Sequence, residues 1–165
     1  MTAQMGERLD YQGKEYSMCS EPLNKYFAYG GDKPEFGRVS TALWRCYIGS
    51  WEIIDNRLYM TGISASLEDG TAVKLEMLFP GFTDLVFAHW YSGTLRVPDG
   101  NLLNYRHAGY DSEYERDILI EVGKGLVTET TIRENGNARN LNAPEGYGAA
   151  AAYVFPEKGK GTQDD

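Results

Sequence analysis

Apolar and polar residues alternate with a period of two along most of the chain, the spacing of a half-buried β-strand. Val73, Leu75, Met77 and Phe79 show it plainly, with Lys74 and Glu76 between them. Ile118, Ile120 and Val122 repeat it. After Gly123-Lys124-Gly125, residues 126–132 return rich in β-branched side chains, as a hairpin arm does. Further strands are expected over residues 43–48, 51–54 and 57–67, with Asp55-Asn56 as a turn because both residues tolerate left-handed backbone. Glu68-Asp69-Gly70 turns the chain into the 73–79 strand. Pro80-Gly81 breaks it, and strands resume over 85–91, 93–97 and 102–107, the last two separated by Pro98-Asp99-Gly100-Asn101. Near the start, residues 8–18 read as a small hairpin about Gln12-Gly13.

One segment carries helical spacing instead. Leu23, Tyr26 and Phe27 lie three and four residues apart, Ser20 stands at a cap position, Glu21 and Pro22 occupy the first turn, and Gly30-Gly31 ends the run. About nine or ten short strands with one early helix are the pattern of a sandwich or barrel. The expected fold is therefore mainly β: an antiparallel barrel-like or sandwich sheet with one short N-terminal helix. A single β-rich domain is expected over 8–155, with 1–7 and 156–165 as flexible termini. Residues 135–148 read as loop, and 149–155 as a helical turn or docking segment.

Composition narrows the function more than the fold. The chain has 165 residues, 42% of them hydrophobic and 13% aromatic, enough to close one core. Sixteen basic residues against 24 acidic ones give a net charge of −8. Arg38, Arg45, Lys74, Arg96 and Arg106 stand singly, so no basic stripe exists to meet a phosphate backbone, and nucleic acid is disfavoured as a partner. A basic protein is compatible with that charge. Cys19 and Cys46 have no CxxC and no adjacent histidine, so they read as reduced packing residues rather than metal ligands. No apolar stretch approaches a membrane span or a secretory leader, and a cytoplasmic setting is the expectation.

Catalytic signatures are sparse. Ser50 and Ser92 lie outside GxSxG, and Gly30-Gly31-Asp32-Lys33 lacks the P-loop pattern. His89 and His107 are the chain's two histidines, and Glu113 follows the second closely. If their strands were neighbours, His89, His107 and Glu113 would make an acid–base or metal site, although neither HExxH nor HxH is present. Structural or surface histidines are the simpler reading, and no cofactor is implied.

The aromatic residues offer a different chemistry. By strand alternation Trp44 and Tyr47 face opposite ways, so some rings should reach the surface. Exposed rings beside carboxylates suit protein recognition. Trp44, Trp51, Trp90, Tyr91, Tyr110, Asp111, Glu113, Tyr114 and Glu115 are the binding candidates, with residues 110–115 as an acidic, aromatic loop. The alternative is that the rings fill a core or line a small-ligand cavity.

The run Trp44-Arg45-Cys46-Tyr47-Ile48-Gly49-Ser50-Trp51-Glu52-Ile53, with Trp90-Tyr91-Ser92-Gly93-Thr94-Leu95-Arg96-Val97-Pro98, resembles segments of a family of uncharacterised bacterial proteins over roughly residues 8–133. The resemblance implies a bacterial or mobile-element origin and one shared domain, and attaches no activity. Together these features point away from an enzyme. They favour a protein-binding module of the immunity or inhibitor type in bacterial conflict, with a basic toxin or defence enzyme as partner.

Overall fold

Glu7–Tyr11 (β1) and Lys14–Met18 (β2) pair antiparallel about Gln12 and Gly13, both at positive φ, as the sequence pattern predicts. The computed structural model to which they belong describes residues 2–137. The helix α1 spans Pro22–Ala28 with Pro22 in its first turn. Ser20 does not cap it. Its Oγ instead accepts the Arg96 N–H at 2.9 Å, and this bond ties the approach to the helix to a distant strand.

Six strands complete the sheet: Ile48–Ile54 (β3), Arg57–Ser64 (β4), Val86–Phe87 (β5), Gly93–Asn104 (β6), Glu113–Gly123 (β7) and Leu126–Glu134 (β8). Their order is β2-β1-β3-β4-β8-β7-β6, with β5 added beside β4. The fold is mainly β, as expected, in a single sheet that is mixed rather than wholly antiparallel, because β1 runs parallel to β3. The sheet is not closed. Its terminal strands nevertheless approach each other where Cys19 N–H donates to Arg96 O at 2.8 Å, just beyond β2.

The tight turns follow their sequence signals. Asp55 and Asn56 sit at φ 51° and 61°, and Lys124 and Gly125 at 49° and 84°, the left-handed pair that a two-residue hairpin requires. Pro98 does not break its strand. Residues 93–104 form one bent strand against β7, with register shifts after Asp99 and Leu102 that absorb the Pro-Asp-Gly-Asn sequence.

Three expected strands are absent or shortened. The expected 73–79 strand is a helical turn instead, α2 at Leu75–Leu78. Leu-Glu-Met-Leu is made of strong helix formers, and Leu75 and Leu78 are buried while Met77 is exposed, so spacing three prevails over spacing two. The expected 85–91 strand shrinks to β5. Residues 43–46 form a turn, with Leu43 N–H donating to Ser40 O and Cys46 N–H to Leu43 O. No helix among the described residues is long and apolar enough to cross a membrane.

The core gathers Leu9, Met18, Leu58, Met60, Leu95, Val97 and Ile120 under Trp51 and Tyr47. Tyr26 and Trp90 close one side, with Phe79 stacked on Trp90 at 5.4 Å. Gly49 matters because of what lies above it: a Cβ there would sit 2.4 Å from Glu7 Oε1 and 2.7 Å from Trp51 Nε1. Gly49→Ala should therefore cost about 2–4 kcal/mol in urea unfolding, combining overpacking with a lost hydrogen bond. Gly62→Ala meets only Ser50 Cβ at 4.0 Å and should stay within about 1 kcal/mol of the parent.

Candidate functional site

Glu7 opens β1 fully buried, although the first seven residues read as a frayed end. Its Oε2 accepts Arg45 Nε at 3.0 Å, Arg45 Nη2 at 2.7 Å and Gly49 N–H at 2.9 Å. Its Oε1 accepts Trp51 Nε1 at 2.8 Å. Burial pushes this carboxyl above the usual range, opposed by the Arg45 guanidinium and the Gly49 and Trp51 donors. Burial also disfavours charge on Arg45, but Glu7, Tyr110 and Glu21 together outweigh it and hold the guanidinium protonated.

Arg45 carries the network outward. Its Nη1 donates to Met5 O at 2.8 Å and Tyr110 Oη at 3.1 Å, and Tyr110 Oη donates to Glu21 Oε2 at 2.5 Å. Glu21 Oε1 accepts Asn24 Nδ2, and Asn24 Oδ1 accepts Tyr47 Oη at 2.7 Å. Burial drives both phenols, Tyr47 and Tyr110, well above the normal tyrosine range, and Glu21 adds to the shift at Tyr110. Cys19 lies close by with its thiol pushed up to about 11 by burial, so its nucleophilic thiolate is scarce at neutral pH. Cys19 and Cys46 are both free thiols.

A second buried acid, Asp117 on β7, accepts Arg96 Nε at 3.0 Å and Asn135 Nδ2 at 3.1 Å, and pairs with Arg133. Burial raises its carboxyl, but the hydrogen bonds from Arg133, Asn135 and Arg96 outweigh burial and hold it below the usual range. Arg96 then donates to Tyr110 O at 2.7 Å and Ser112 O at 3.0 Å. The two ion pairs therefore hold the same loop, one through the Tyr110 phenol and the other through its main chain.

Their combined effect is to bring three segments together at one end of the sheet. Gln4 N–H donates to Gly109 O, Met5 N–H to Ala42 O, and Gln4 Oε1 accepts Trp44 N–H at 2.8 Å. The outcome is a rigid turn on which Leu43 and the Arg45 side chain point inward and Trp44 points out, 54% exposed. Cys46 closes the turn at φ 67°, a left-handed conformation that a non-glycine side chain holds only when its surroundings fix it. Met5 is exposed beside the turn, and Asp111 and Glu113 are exposed on the loop that Arg45 and Arg96 hold.

The other candidates are placed elsewhere. Trp51 and Tyr91 are core residues, 1% and 5% exposed, and present no ring to a partner. Trp90 is half-buried with its Nε1 donating to Pro22 O at 2.9 Å. Tyr114 is half-buried, and burial pushes its phenol up to about 12. Glu115 is buried and accepts Asn101 N–H at 3.0 Å, so the 110–115 stretch is an exposed loop only in part, and β7 begins within it at Glu113. His89 precedes β6 and His107 follows it, so the 12 residues of that strand separate them. Both are exposed, and His107 Nδ1 instead meets Tyr105 Oη at 2.7 Å. No cluster among the described residues has the makings of a metal site. A shallow groove of about 310 Å³ lies over Arg8, Asp10, Glu15, Ser50, Trp51, Thr61 and Gly62. Its lining is mostly polar. Residues 149–155, read as a docking segment, lie outside the described residues.

Glu7 and Asp117 are the important residues that sequence reasoning missed. A carboxylate in an apolar β pattern, as in Asp117-Ile118-Leu119-Ile120, is the one signal that marks a buried acid. No family model, curated protein or solved structure matches this chain.

Two measurements test this electrostatic frame. Arg45→Met and Glu7→Gln should each cost about 3–5 kcal/mol, because each strands a buried partner, while the double variant costs distinctly less than their sum. Asp117 gives a pH signature: a depressed carboxyl contributes stability above its unfolded pKa of about 4 and loses it as pH falls through the lowered folded value. The gap in urea midpoint between wild type and Asp117→Asn should therefore be wide at pH 6 and narrow steadily below about pH 4.

Proposed function

We propose that this chain is a protein-binding module that engages its partner through Trp44, flanked by Met5 and by the carboxylates of Asp111 and Glu113. The observation that carries the reading is the mounting of Trp44. An indole typically buries 150–250 Å² (roughly) when covered, and here it stands exposed on a turn fixed from within by Arg45, Leu43 and Gln4. The backbone that carries it is already held, so binding need not order the turn, and a Trp anchor of this kind is typical of interface hot spots.

The charge supports the choice of partner. The chain carries a net −8, and exposed acids beside the anchor favour a basic protein and speed its approach. An immunity protein or inhibitor that covers the active site of a basic toxin or defence enzyme has this profile. The strongly held chemical groups support it too: Glu7, Arg45, Asp117 and Arg96 are committed to hydrogen bonds that hold the fold.

Wild type and Trp44→Ala, used as parallel baits in a lysate of the native cells, test the reading. At least one basic protein should be enriched on wild type and fall by about 30-fold or more on Trp44→Ala, the effect of a hot spot worth 2 kcal/mol. The variant's unfolding free energy should move by less than about 0.5 kcal/mol, as for an exposed site. Identical capture profiles would remove Trp44 as the anchor.

A further inference from the structure

Beyond Val127, whose N–H donates to Asn56 O, the β8 strand has an edge that nothing in the described fold uses. It meets β4 at one position, Arg57 opposite Leu126. Running antiparallel from that point, the two strands diverge at once, and β8 passes beyond the Asp55-Asn56 turn. From Thr128 to Glu134 every residue is exposed, Ile132 at 59%. Ile132 pairs with Ile118 on the core-facing side of β7, so this exposed isoleucine continues a buried row past the end of its cover.

The register shows which main-chain groups are free. Asn135 N–H donates to Glu115 O, so alternate residues back along β8, namely Arg133, Thr131 and Glu129, turn their main-chain groups toward β7. Thr130 and Ile132 therefore point theirs outward. An open edge with β-branched residues on it is a template for another strand.

We infer that the occupant is the same edge of a second copy, paired antiparallel across a two-fold axis at Thr131. The charges select this register. With Thr131 opposite its own copy, Glu129 faces the partner's Arg133 and Arg133 the partner's Glu129. Nη2 of Arg133 stays on Asp117, and the half-exposed guanidinium turns its remaining donors to the partner's carboxylate. Moving the axis to Thr130 or to Ile132 loses both pairs. In the Thr131 register Thr130 and Ile132 of opposite copies exchange main-chain hydrogen bonds, and each Ile132 packs on the partner's Thr130 methyl group. Opposite charges directly across a strand pair stabilise it and like charges oppose it. A ribbon this short buries on the order of 1,000 Å² in total, at the low end of specific interfaces, so the dimer is a weak one in the micromolar range. The observation is independent of Trp44, and a chain that dimerises need not bind another protein.

Sedimentation velocity and a cysteine scan test the pairing on the full chain. Wild type should shift from monomer to dimer between about 1 and 500 µM, the range that brackets a micromolar constant. Ile132→Pro removes an outward N–H without touching the β7 ladder, a substitution an edge strand tolerates. It should stay monomeric with an unchanged circular dichroism spectrum. Glu129→Arg, which sets Arg against Arg, should weaken the dimer at least tenfold. Thr131→Cys places two thiols in a non-hydrogen-bonded pair with Cα atoms about 4.5 Å apart, within disulfide reach. It should oxidise to a covalent dimer, while Thr130→Cys and wild type, with Cys19 and Cys46 as the blank, do not. A full chain that stays monomeric throughout that range, with no Thr131→Cys disulfide, overturns the proposal. So does a dimer that appears only after residues 138–165 are removed, since the tail would then be the occupant. A dimer untouched by Ile132→Pro overturns it as well.

Discussion

The carboxylate of Glu7 sits in the floor of this fold with no access to water, and the rest of the structure is arranged to satisfy it. A lone buried carboxylate would be prohibitive. Here it takes two bonds from Arg45, one from the Gly49 amide and one from the Trp51 indole. Those donors come from three points along residues 45–51, so satisfying one side chain sets how that whole stretch lies against β1. The parallel pairing of β1 with β3, the one parallel ladder among the described residues, is held by this arrangement. A hydrophobic replacement of similar volume would often match such a pair in stability. What the pair supplies here is register.

The same interaction explains the shape of the surface. Residues 43–48 have the alternation of a strand, and Leu43 and Tyr47 are buried on that period. Arg45 shares their side, and its reach to Glu7 and Met5 O draws the chain into a turn. Trp44 is left outside as the residue between two inward anchors. Asp117 plays the matching part on β7. Its pull on Arg96 brings that guanidinium to the carbonyls of Tyr110 and Ser112, while Arg45 holds the Tyr110 phenol. The acidic loop is thus fixed beside the Trp44 turn by charges that themselves stay hidden.

What could be read from sequence was what depends on local chemistry. The turns at Gln12-Gly13, Asp55-Asn56 and Lys124-Gly125 form where left-handed residues announce them, and α1 lies where Pro22 and the apolar spacing place it, although Ser20 does not cap it. The expectations that failed did so where tertiary demands competed with a local pattern. The 73–79 alternation gave way to helix formers with Leu75 and Leu78 to bury, and Pro98 was absorbed by a bend in β6. Trp44 and Tyr47 do differ in exposure, as alternation implied, though by way of a turn rather than a strand. The aromatic count could not separate the core indole of Trp51 from the exposed one of Trp44, because that difference lies in whether a buried acceptor such as Glu7 awaits the ring nitrogen.

The unused edge of β8 is a consequence of the register rather than of a missing strand. Sheet order places β8 in the interior of the sheet, between β4 and β7, where a strand ordinarily has both edges paired. The Lys124-Gly125 turn delivers it beside the first residue of β4, and the antiparallel sense then carries the two strands apart. The segment that does lie along β4 is β5, pairing Phe87 with Tyr59 and Val86 with Met60. The sheet thus opens between its two halves, and the bonds of Arg96 with Cys19 and Ser20 hold them together on the far side. Charges on an edge normally discourage a second chain. On β8 Glu129 and Arg133 are spaced so that an antiparallel copy answers each with its opposite, and the feature that should repel a stranger becomes selective for self.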